Sequence, residues 1–298
     1  MEELELVKSK IKEFVSSIGD KKSLELLDML AQGKMLRSKL ILKIAGASDE
    51  SIKLCAVVEM IHAASLLHDD VLDEADTRRG KPSINALFDN KTAIMFGDIL
   101  YSKAFTELTF MDKDIAYKVA NAVTLLSVGE MHDIDLTDSF NSDYDKYLDM
   151  IYKKTASLIE ASAYSAAILA SKDRDKYALY GKNLGLAFQM VDDILDITQD
   201  SETLGKPAML DFVEGKVTIP YLLLHERLED KSELEALYKQ ELNEDKQAWI
   251  KDKMHETKAL EDSILLAKKL GNEAIEAVAT ENSPELIMIM KAMIEREF

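Results

Sequence analysis

Few residues in this chain can end a helix. Only 11 glycines and 4 prolines occur among 298 residues, and the prolines stand apart at Pro82, Pro207, Pro220 and Pro284. A β-sandwich or β-barrel of this length needs many more turn residues. Alanine, leucine, lysine, glutamate and methionine, which favour helices, are abundant. The sequence therefore predicts an all-α protein with roughly ten or more helices and no strands.

Apolar residues at helical spacing predict where the long helices lie. Residues 52–73 form one predicted helix that is apolar on most sides between Ala56 and Leu67, and a helix of that kind is buried. Residues 226–262 are polar and are predicted to form surface helices. No linker divides the chain, so a single domain over residues 1–298 is expected. Further long helices are predicted over residues 92–108, 115–136, 144–170 and 176–198.

The overall charge and the cysteine content exclude several classes of function. The chain carries 37 Lys and Arg against 55 Asp and Glu, a net charge of −18. Nucleic acids and anionic membranes bind clustered cations, so neither is expected as a partner. Local cations can still hold small anions. The single cysteine, Cys55, excludes a disulfide framework and a cysteine-ligated metal site.

The location predicted from the sequence is the cytoplasm. A lone cysteine is typical of a protein in a reducing compartment. The charged N-terminal segment does not resemble a signal peptide. No run of about 18 uncharged apolar residues occurs, so no transmembrane helix is expected.

Two acidic motifs share the pattern D-D-x-L-D. In each, the first and last aspartates are four residues apart and share one face of a helix. Each motif ends an apolar helical segment, where a carboxylate is costly unless it is paired or metal-bound. Hard oxygen ligands favour magnesium, which leaves coordination positions for phosphate oxygens. The pair predicts a diphosphate bridged to the protein by metal ions held by Asp69, Asp70, Asp73, Asp192, Asp193 and Asp196.

Several basic residues lie close to these motifs in the sequence. Arginine binds phosphate through a planar fork, and lysine supplies a mobile point charge. Taken singly, each could be an ordinary surface cation, and a lone histidine is more often a satisfied buried one. Their adjacency to the acidic motifs favours phosphate binding. The candidates are Lys34, Arg37, His62, Arg78, Arg79, Lys153, Lys154, Lys206 and Lys216.

From residue 32 to about residue 224 the chain resembles the trans-isoprenyl diphosphate synthases, or polyprenyl synthetases. Both aspartate motifs match, as do Gly97-Asp98-Ile99-Leu100 and Lys154-Thr155. The loop after the second motif matches through Gly205-Lys206-Pro207 and Gly215-Lys216. One departure stands out. The family's G-G-K-x-x-R-P reads Q-G-K-M-L-R-S over residues 32–38, which keeps both cations and loses the first glycine and the proline.

The resemblance implies a fold and a reaction. The fold is an orthogonal helical bundle around a deep central cavity, the isoprenoid synthase fold, usually in a homodimer. The reaction is the head-to-tail condensation of isopentenyl diphosphate with an allylic diphosphate. It uses about three magnesium ions, which manganese can replace. Transient membrane contact during product release is also implied.

The resemblance also assigns roles to the basic and polar residues. One set serves the allylic diphosphate, and the other holds isopentenyl diphosphate without metal. The allylic set is Arg78, Lys154, Thr155, Gln189, Lys206 and Lys216, and the isopentenyl set is Lys34, Arg37, His62 and Arg79.

The residues before the first motif bear on product length. Ala64 and Ser65 precede Asp69 by one helical turn, and both are small. In the family, a bulky aromatic residue at this level closes the cavity and stops chain growth. The small residues therefore favour a hexaprenyl to octaprenyl product for a quinone side chain. The alternative is a farnesyl or geranylgeranyl diphosphate synthase, with the product length set by a deeper side chain.

Three other classes share some of these features. Glu59-x-x-His62 occurs in di-iron carboxylate bundles, but these need a second such motif, which the chain lacks. Terpene cyclases carry one D-D-x-x-D motif but typically replace the second motif with an N/S/E pattern. Non-catalytic partner subunits of two-component synthases lose aspartates that this chain retains.

Overall fold

The computed structural model describes residues 2–31, 33–199, 207–281 and 283–295. Within them the chain is almost entirely helical, which confirms the all-α prediction. A π-helix occupies Tyr152–Ala156 and a 3-10 helix Ala279–Glu281. The α-helices are α1 Glu2–Ser16, α2 Lys21–Met29, α3 Leu36–Ala45, α4 Asp49–Leu72, α5 Ile84–Leu87, α6 Asn90–Leu108, α7 Lys113–Leu136, α8 Tyr144–Ile151, α9 Ser157–Leu169, α10 Arg174–Thr198, α11 Leu210–Val213, α12 Ile219–Arg227, α13 Ser232–Leu237, α14 Glu244–Glu256, α15 Ala259–Val278 and α16 Pro284–Ile294.

One short hairpin departs from the prediction of no strands. Strands β1 Thr77–Arg78 and β2 Lys81–Pro82 pair antiparallel. Arg79 and Gly80 form the turn between them with φ of 52° and 72°, as a two-residue type I′ turn requires. Strands of two residues are too short to show an alternating pattern, which is why the sequence did not predict them.

The chain divides into two compact units. The first unit is Met1–Val123 with Ala161–Asp175, and the second is Thr124–Glu160 with Lys176–Phe298. The single domain expected over residues 1–298 stays a prediction.

Helix α4 is the centre of the first unit. It packs against α1, α3, α5 and α6, and residues such as Val57, Val58 and Ile61 are fully buried. It begins three residues before the predicted helix because Ser48 and Ser51 form a reciprocal capping box at its N-terminus. This buried helix carries His62 and the first aspartate motif.

Helix α15 is the centre of the second unit. It packs against α12, α14 and α16. The predicted surface helices over residues 226–262 include α14, whose Ile250 and Met254 are fully buried, as expected for the inner face of a surface helix. These two positions dock the otherwise polar helix α14.

The predicted helix over residues 144–170 is interrupted by the π-helix. Lys154 and Thr155 lie in this segment. Neighbouring helices approach it closely, because a Cβ atom at Gly129 would overlap the Lys154 backbone, and one at Gly185 would lie 2.5 Å from the α-carbon of Ala156. Short π-helices occur frequently at functional sites, so this one marks the segment for attention.

One helix among the described residues is long and apolar enough to cross a membrane. It is α4, and 67% of its most apolar window is buried inside the protein. A core helix of a globular protein passes the same test, so the finding is weak evidence for a membrane span.

Candidate active site

The first aspartate motif lies at the C-terminal end of α4. Asp69 is half-buried, Asp70 is buried and Asp73 is exposed. The Asp73 N–H donates to the Asp69 carbonyl oxygen at 2.8 Å and closes the last turn. The Arg78 Nε donates to Asp70 Oδ1 at 2.5 Å. Burial raises the pKa of Asp70, while Arg78 opposes that rise and nearby Asp73 adds to it.

A basic cluster lies in the same unit. Burial is the main cause that holds the pKa of His62 well below its usual value, and Arg37, Arg79 and Arg78 lower it further. Burial also lowers the pKa of Arg37, with Glu59 opposing and Arg79 contributing. His62 is therefore neutral at pH 7, and the positive charge of the cluster comes from the arginines. Such a cluster can bind an anion without a metal ion.

The Lys34–Arg37 segment reaches this cluster through a close backbone contact. A Cβ atom at Gly33 would overlap the guanidinium of Arg79, so the Arg79 side chain lies directly against the Gly33 backbone. Arg79 also donates to the Ala31 carbonyl oxygen at 3.4 Å. Lys34 is exposed on the same loop. Of the four predicted isopentenyl residues, the structure thus brings Arg37, His62 and Arg79 together.

Ser38 and Glu59 explain the departure from the family's G-G-K-x-x-R-P pattern. The backbone N–H and Oγ of Ser38 donate to Glu59 Oε1 at 3.2 and 2.7 Å. Proline has no N–H and disfavours a helical residue before it, whereas Arg37 lies within the first turn of α3. Sequence reasoning noted the serine but missed its partner.

The second aspartate motif lies on α10. Asp192 is half-buried, whereas Asp193 and Asp196 are buried. The Tyr147 hydroxyl donates to Asp193 Oδ2 at 2.5 Å, and Gln189 Nε2 donates to Oδ1 at 3.0 Å. Thr155 Oγ1 in turn donates to Gln189 Oε1 at 3.0 Å. Thr155 and Gln189, both predicted to serve the diphosphate, therefore hold Asp193 in this structure.

Burial raises the pKa of Asp193 to about 8, although the hydrogen bonds from Tyr147 and Gln189 favour the charged form. Both carboxyl oxygens accept hydrogen bonds from neutral donors, so the Asp193 side chain is fixed in direction. Sequence reasoning missed Tyr147, which lies on α8 and is buried. No motif marks this tyrosine, so only the fold reveals its role.

Asp196 connects the second motif to the segment that follows it. Its carbonyl oxygen accepts from the Met209 N–H at 2.8 Å, and Oδ2 accepts from the Asp211 N–H at 3.4 Å. Lys216 in this segment pairs with Glu214 at 3.0 Å. Lys206, the other predicted lysine here, lies outside the described residues.

Lys154 is held by two buried carboxylates. Its Nζ lies 2.6 Å from Asp133 Oδ2 and 2.9 Å from Glu130 Oε2. Burial acts to lower the pKa of Lys154, but the two carboxylates raise it overall. The lysine is therefore charged and fixed in direction. Sequence reasoning missed Glu130 and Asp133 because neither belongs to the aspartate motifs.

The first two aspartates are arranged alike in both motifs, whereas the third is exposed in the first motif and buried in the second. The first aspartate of each is half-buried, and the second is buried and bonded to neighbouring side chains. Magnesium is usually held by one or two carboxylates together with waters and substrate phosphates. The donor set fits magnesium in this mode, with the exposed Asp73 and the half-buried Asp69 and Asp192 accessible to an ion.

This arrangement predicts different effects for adjacent aspartates. Asp193→Asn is expected to lower turnover less than Asp192→Asn does, because the amide keeps one oxygen ligand and the Asp193 side chain already faces Tyr147 and Gln189. Asp192→Asn is expected to lose far more, because it removes a charged oxygen ligand. Steady-state kinetics of the two purified variants in magnesium measures the difference. Equal losses would show that Asp193 contributes as much to metal binding as Asp192 does.

Comparison with known proteins adds three findings. The polyprenyl synthetase family model matches residues 22–254. The chain is similar to the octaprenyl pyrophosphate synthase of Helicobacter pylori, with 44% identity, a TM-score of 0.93 and 99% of each chain covered. It is also 41% identical over 209 residues to a prenyl transferase of Synechocystis. That alignment covers 66% of this chain and 64% of the relative, so the chain spans just under two thirds of the relative's length.

A further solved structure bears on ligands. A polyprenyl synthase from Caulobacter crescentus is 30% identical, with a TM-score of 0.87, and 99% of this chain and 95% of that one are covered. That protein was crystallised in complex with calcium and isoprenyl diphosphate. A divalent cation and a diphosphate are therefore ligands of a protein with this fold.

Proposed function

The chain belongs to the polyprenyl synthetase family, and from this premise we propose that it condenses isopentenyl diphosphate with an allylic diphosphate to give a long-chain all-trans polyprenyl diphosphate. Membership confirms the predicted family, the all-α fold and the transferase class. The observation that carries the proposal is the pair of D-D-x-L-D motifs, each with a half-buried first aspartate. A basic cluster in the first unit supplies an anion site of a different kind.

Magnesium is the proposed cofactor, with manganese as a substitute. Divalent-metal dependence is a property of the family. When bound, the ions would draw negative charge from the departing diphosphate. The residues proposed to hold them are Asp69, Asp70, Asp73, Asp192, Asp193 and Asp196.

The described basic side chains proposed to bind the allylic diphosphate are paired with carboxylates in this structure. Arg78 is paired with Asp70, Lys154 with Asp133 and Glu130, and Lys216 with Glu214. We infer that a diphosphate competes for these cations. The carbon–oxygen bond of the allylic diphosphate breaks, and the cations stabilise the charge on the leaving group. Thr155, Gln189 and Lys206 complete the proposed allylic set.

The isopentenyl side works without metal. Arg37 and Arg79 pair with the diphosphate, Lys34 adds a mobile charge, and neutral His62 supplies a hydrogen bond. The isopentenyl double bond attacks the allylic carbocation and forms the new carbon–carbon bond. The resulting cation loses a proton to the released diphosphate and forms the new double bond.

The direct test is product formation. Purified protein is incubated with an allylic diphosphate, isopentenyl diphosphate and magnesium, and the products are separated by reversed-phase chromatography. A ladder ending at hexaprenyl to octaprenyl diphosphate is expected. Products that end at farnesyl or geranylgeranyl diphosphate would favour the short-chain alternative, and cyclic hydrocarbons would indicate a terpene cyclase. The likeness to an octaprenyl synthase supports the long product.

The two substrate sides predict separable kinetic effects. Arg37→Ala and Arg79→Ala are expected to raise the KM for isopentenyl diphosphate by about tenfold or more, because each removes a charge-assisted hydrogen bond. Lys206→Ala is expected to raise the KM for the allylic diphosphate and to lower kcat. Arg174, paired with Asp114 outside both motifs, supplies a matched control. Equal effects on both substrates from every variant would overturn the partition.

A homodimer in the cytoplasm is the proposed state. Large apolar side chains remain exposed on α6, in the turn after it and at the start of α7: Met95 is 56% exposed, Phe110 79% and Tyr117 73%. Exposed apolar clusters mark protein interfaces. Phe110→Asp with Tyr117→Asp is expected to shift the mass from dimer to monomer in light scattering. A monomeric wild type would overturn the proposal.

A further inference from the structure

Gly97 faces the histidine that precedes the first aspartate motif. Helices α4 and α6 pack together. A Cβ atom at Gly97 would overlap Nε2 of His68 and lie 2.7 Å from its Cδ2. A side chain at position 97 would therefore force the imidazole out of its observed position. The Gly97-Asp98 pair matches the family pattern, but no role in binding or chemistry follows from the match.

Residues on one face of α6 contact the imidazole ring of His68. His68 Nε2 lies 3.1 Å from the Ile94 carbonyl oxygen. A carbonyl can only accept, so Nε2 carries the proton. Asp98 Oδ1 is 3.5 Å from the same nitrogen, and Tyr101 meets the ring edge-on at 5.6 Å between centroids. Positions 94, 97, 98 and 101 share one helical face.

These contacts to His68 lie in the last turns of α4. Asp69 directly follows His68, and the helix ends at Leu72. The terminal turns of a helix tend to fray unless tertiary contacts hold them. A ring fixed between the two helices therefore fixes the backbone from which the carboxylates project. Groups that orient metal ligands change metal affinity or activity by about 10- to 100-fold when removed.

We propose that His68 is a positioning residue for the first aspartate motif and that Gly97 is glycine because His68 needs the space. The inference rests on the proposed magnesium-dependent condensation. His68 acts through the orientation of Asp69 and its neighbours, and it does not contact substrate. The apparent affinity for magnesium should therefore depend on the His68–Gly97 contact, while the isopentenyl site should not.

Four variants test the contact: Gly97→Ala, His68→Ala, the double variant, and His68→Gln. The magnesium concentration for half-maximal turnover, the KM for each diphosphate and the thermal midpoint are measured for each. Gly97→Ala is expected to raise the magnesium requirement by about tenfold. In the His68→Ala background the ring is gone, so the same glycine change should have little further effect. Such non-additivity identifies residues in direct contact.

His68→Gln separates positioning from bulk packing. The glutamine amide nitrogen reaches about as far as Nε2 and can donate to the Ile94 carbonyl, so this variant should restore most of the magnesium affinity lost in His68→Ala. His68→Asn places its amide nearer the backbone and should not. If Gly97→Ala fails to fold, recovery of the fold in the double variant supports the clash.

Several outcomes would overturn the inference. These are equal effects of Gly97→Ala in both backgrounds, an unchanged magnesium requirement in all variants, or equal behaviour of His68→Gln and His68→Ala. If the thermal midpoint falls and the magnesium requirement does not change, the His68–Gly97 contact contributes to core packing alone. If wild type shows no magnesium-dependent condensation, the proposed function fails instead, so the two failures are distinguishable.

Discussion

Asp69→Ala and Asp192→Ala are each expected to lower kcat/KM by about three orders of magnitude and leave the fold intact. Loss of one metal ligand removes several kcal/mol of transition-state stabilisation, and each 1.4 kcal/mol or so is about tenfold in rate. Both carboxylates are half-buried, so truncation opens no buried cavity. Steady-state kinetics over a magnesium titration, together with circular dichroism, measures both parts of the prediction.

The matched control is an aspartate outside the motifs. Asp28 pairs with Lys12 at 3.0 Å, and its side chain is 61% exposed. Exposed pairs contribute at most about 1 kcal/mol, so Asp28→Ala should keep wild-type turnover. Near wild-type activity of either motif variant in magnesium would contradict the metal assignment.

The double variant with both Asp69→Ala and Asp192→Ala tests whether the two motifs bind the same metal ions. If Asp69 and Asp192 serve one metal-bound diphosphate, removal of both should cost less than the product of the two single losses. Residues that act as a unit show this non-additivity in kinetics. Independent, multiplicative losses would mean that the motifs act in separate steps or at separate sites.

Helices were predictable from this sequence because periodic apolar residues dominate it. The predicted segment 176–198 is observed as Arg174–Thr198, and 92–108 as Asn90–Leu108. Boundaries differed by a few residues where a cap set the start, as Asp89 does for α6 by accepting from the Thr92 N–H. The π-helix at Tyr152–Ala156 was invisible because one wide turn hardly disturbs the apolar period.

The site residues were predictable where short motifs carry them, whereas their partners were not. Ser38 and Glu59 are 21 residues apart, and Tyr147 and Asp193 are 46 apart. Contacts across such separations leave no spacing pattern in a single chain. The same holds for His68 and Gly97, which meet only because α4 and α6 pack together. The partners that orient the motif side chains are therefore identified from the folded structure and not from the sequence pattern.

Product length should respond to one residue on α4. Ala64 lies five residues, or about 7.5 Å along the helix axis, before Asp69. It is fully buried, and Ser65 beside it is 5% exposed. If the growing prenyl chain passes this level, a large side chain here should block it. Ala64→Tyr is therefore expected to shift the main product from hexaprenyl or octaprenyl to farnesyl or geranylgeranyl diphosphate, with activity retained.

The same substitution one residue earlier is the control. Ala63 points about 100° away around the helix and lines a small pocket with Leu66, Asp70 and Arg78, which does not include Ala64. Both substitutions carry the overpacking cost of a larger side chain, about 1–3 kcal/mol, but only Ala64→Tyr should shorten the product. Chromatography of the products from both variants measures the difference. If wild type already stops at geranylgeranyl diphosphate, or if both variants keep the wild-type length, then the chain end is set at a deeper level than Ala64.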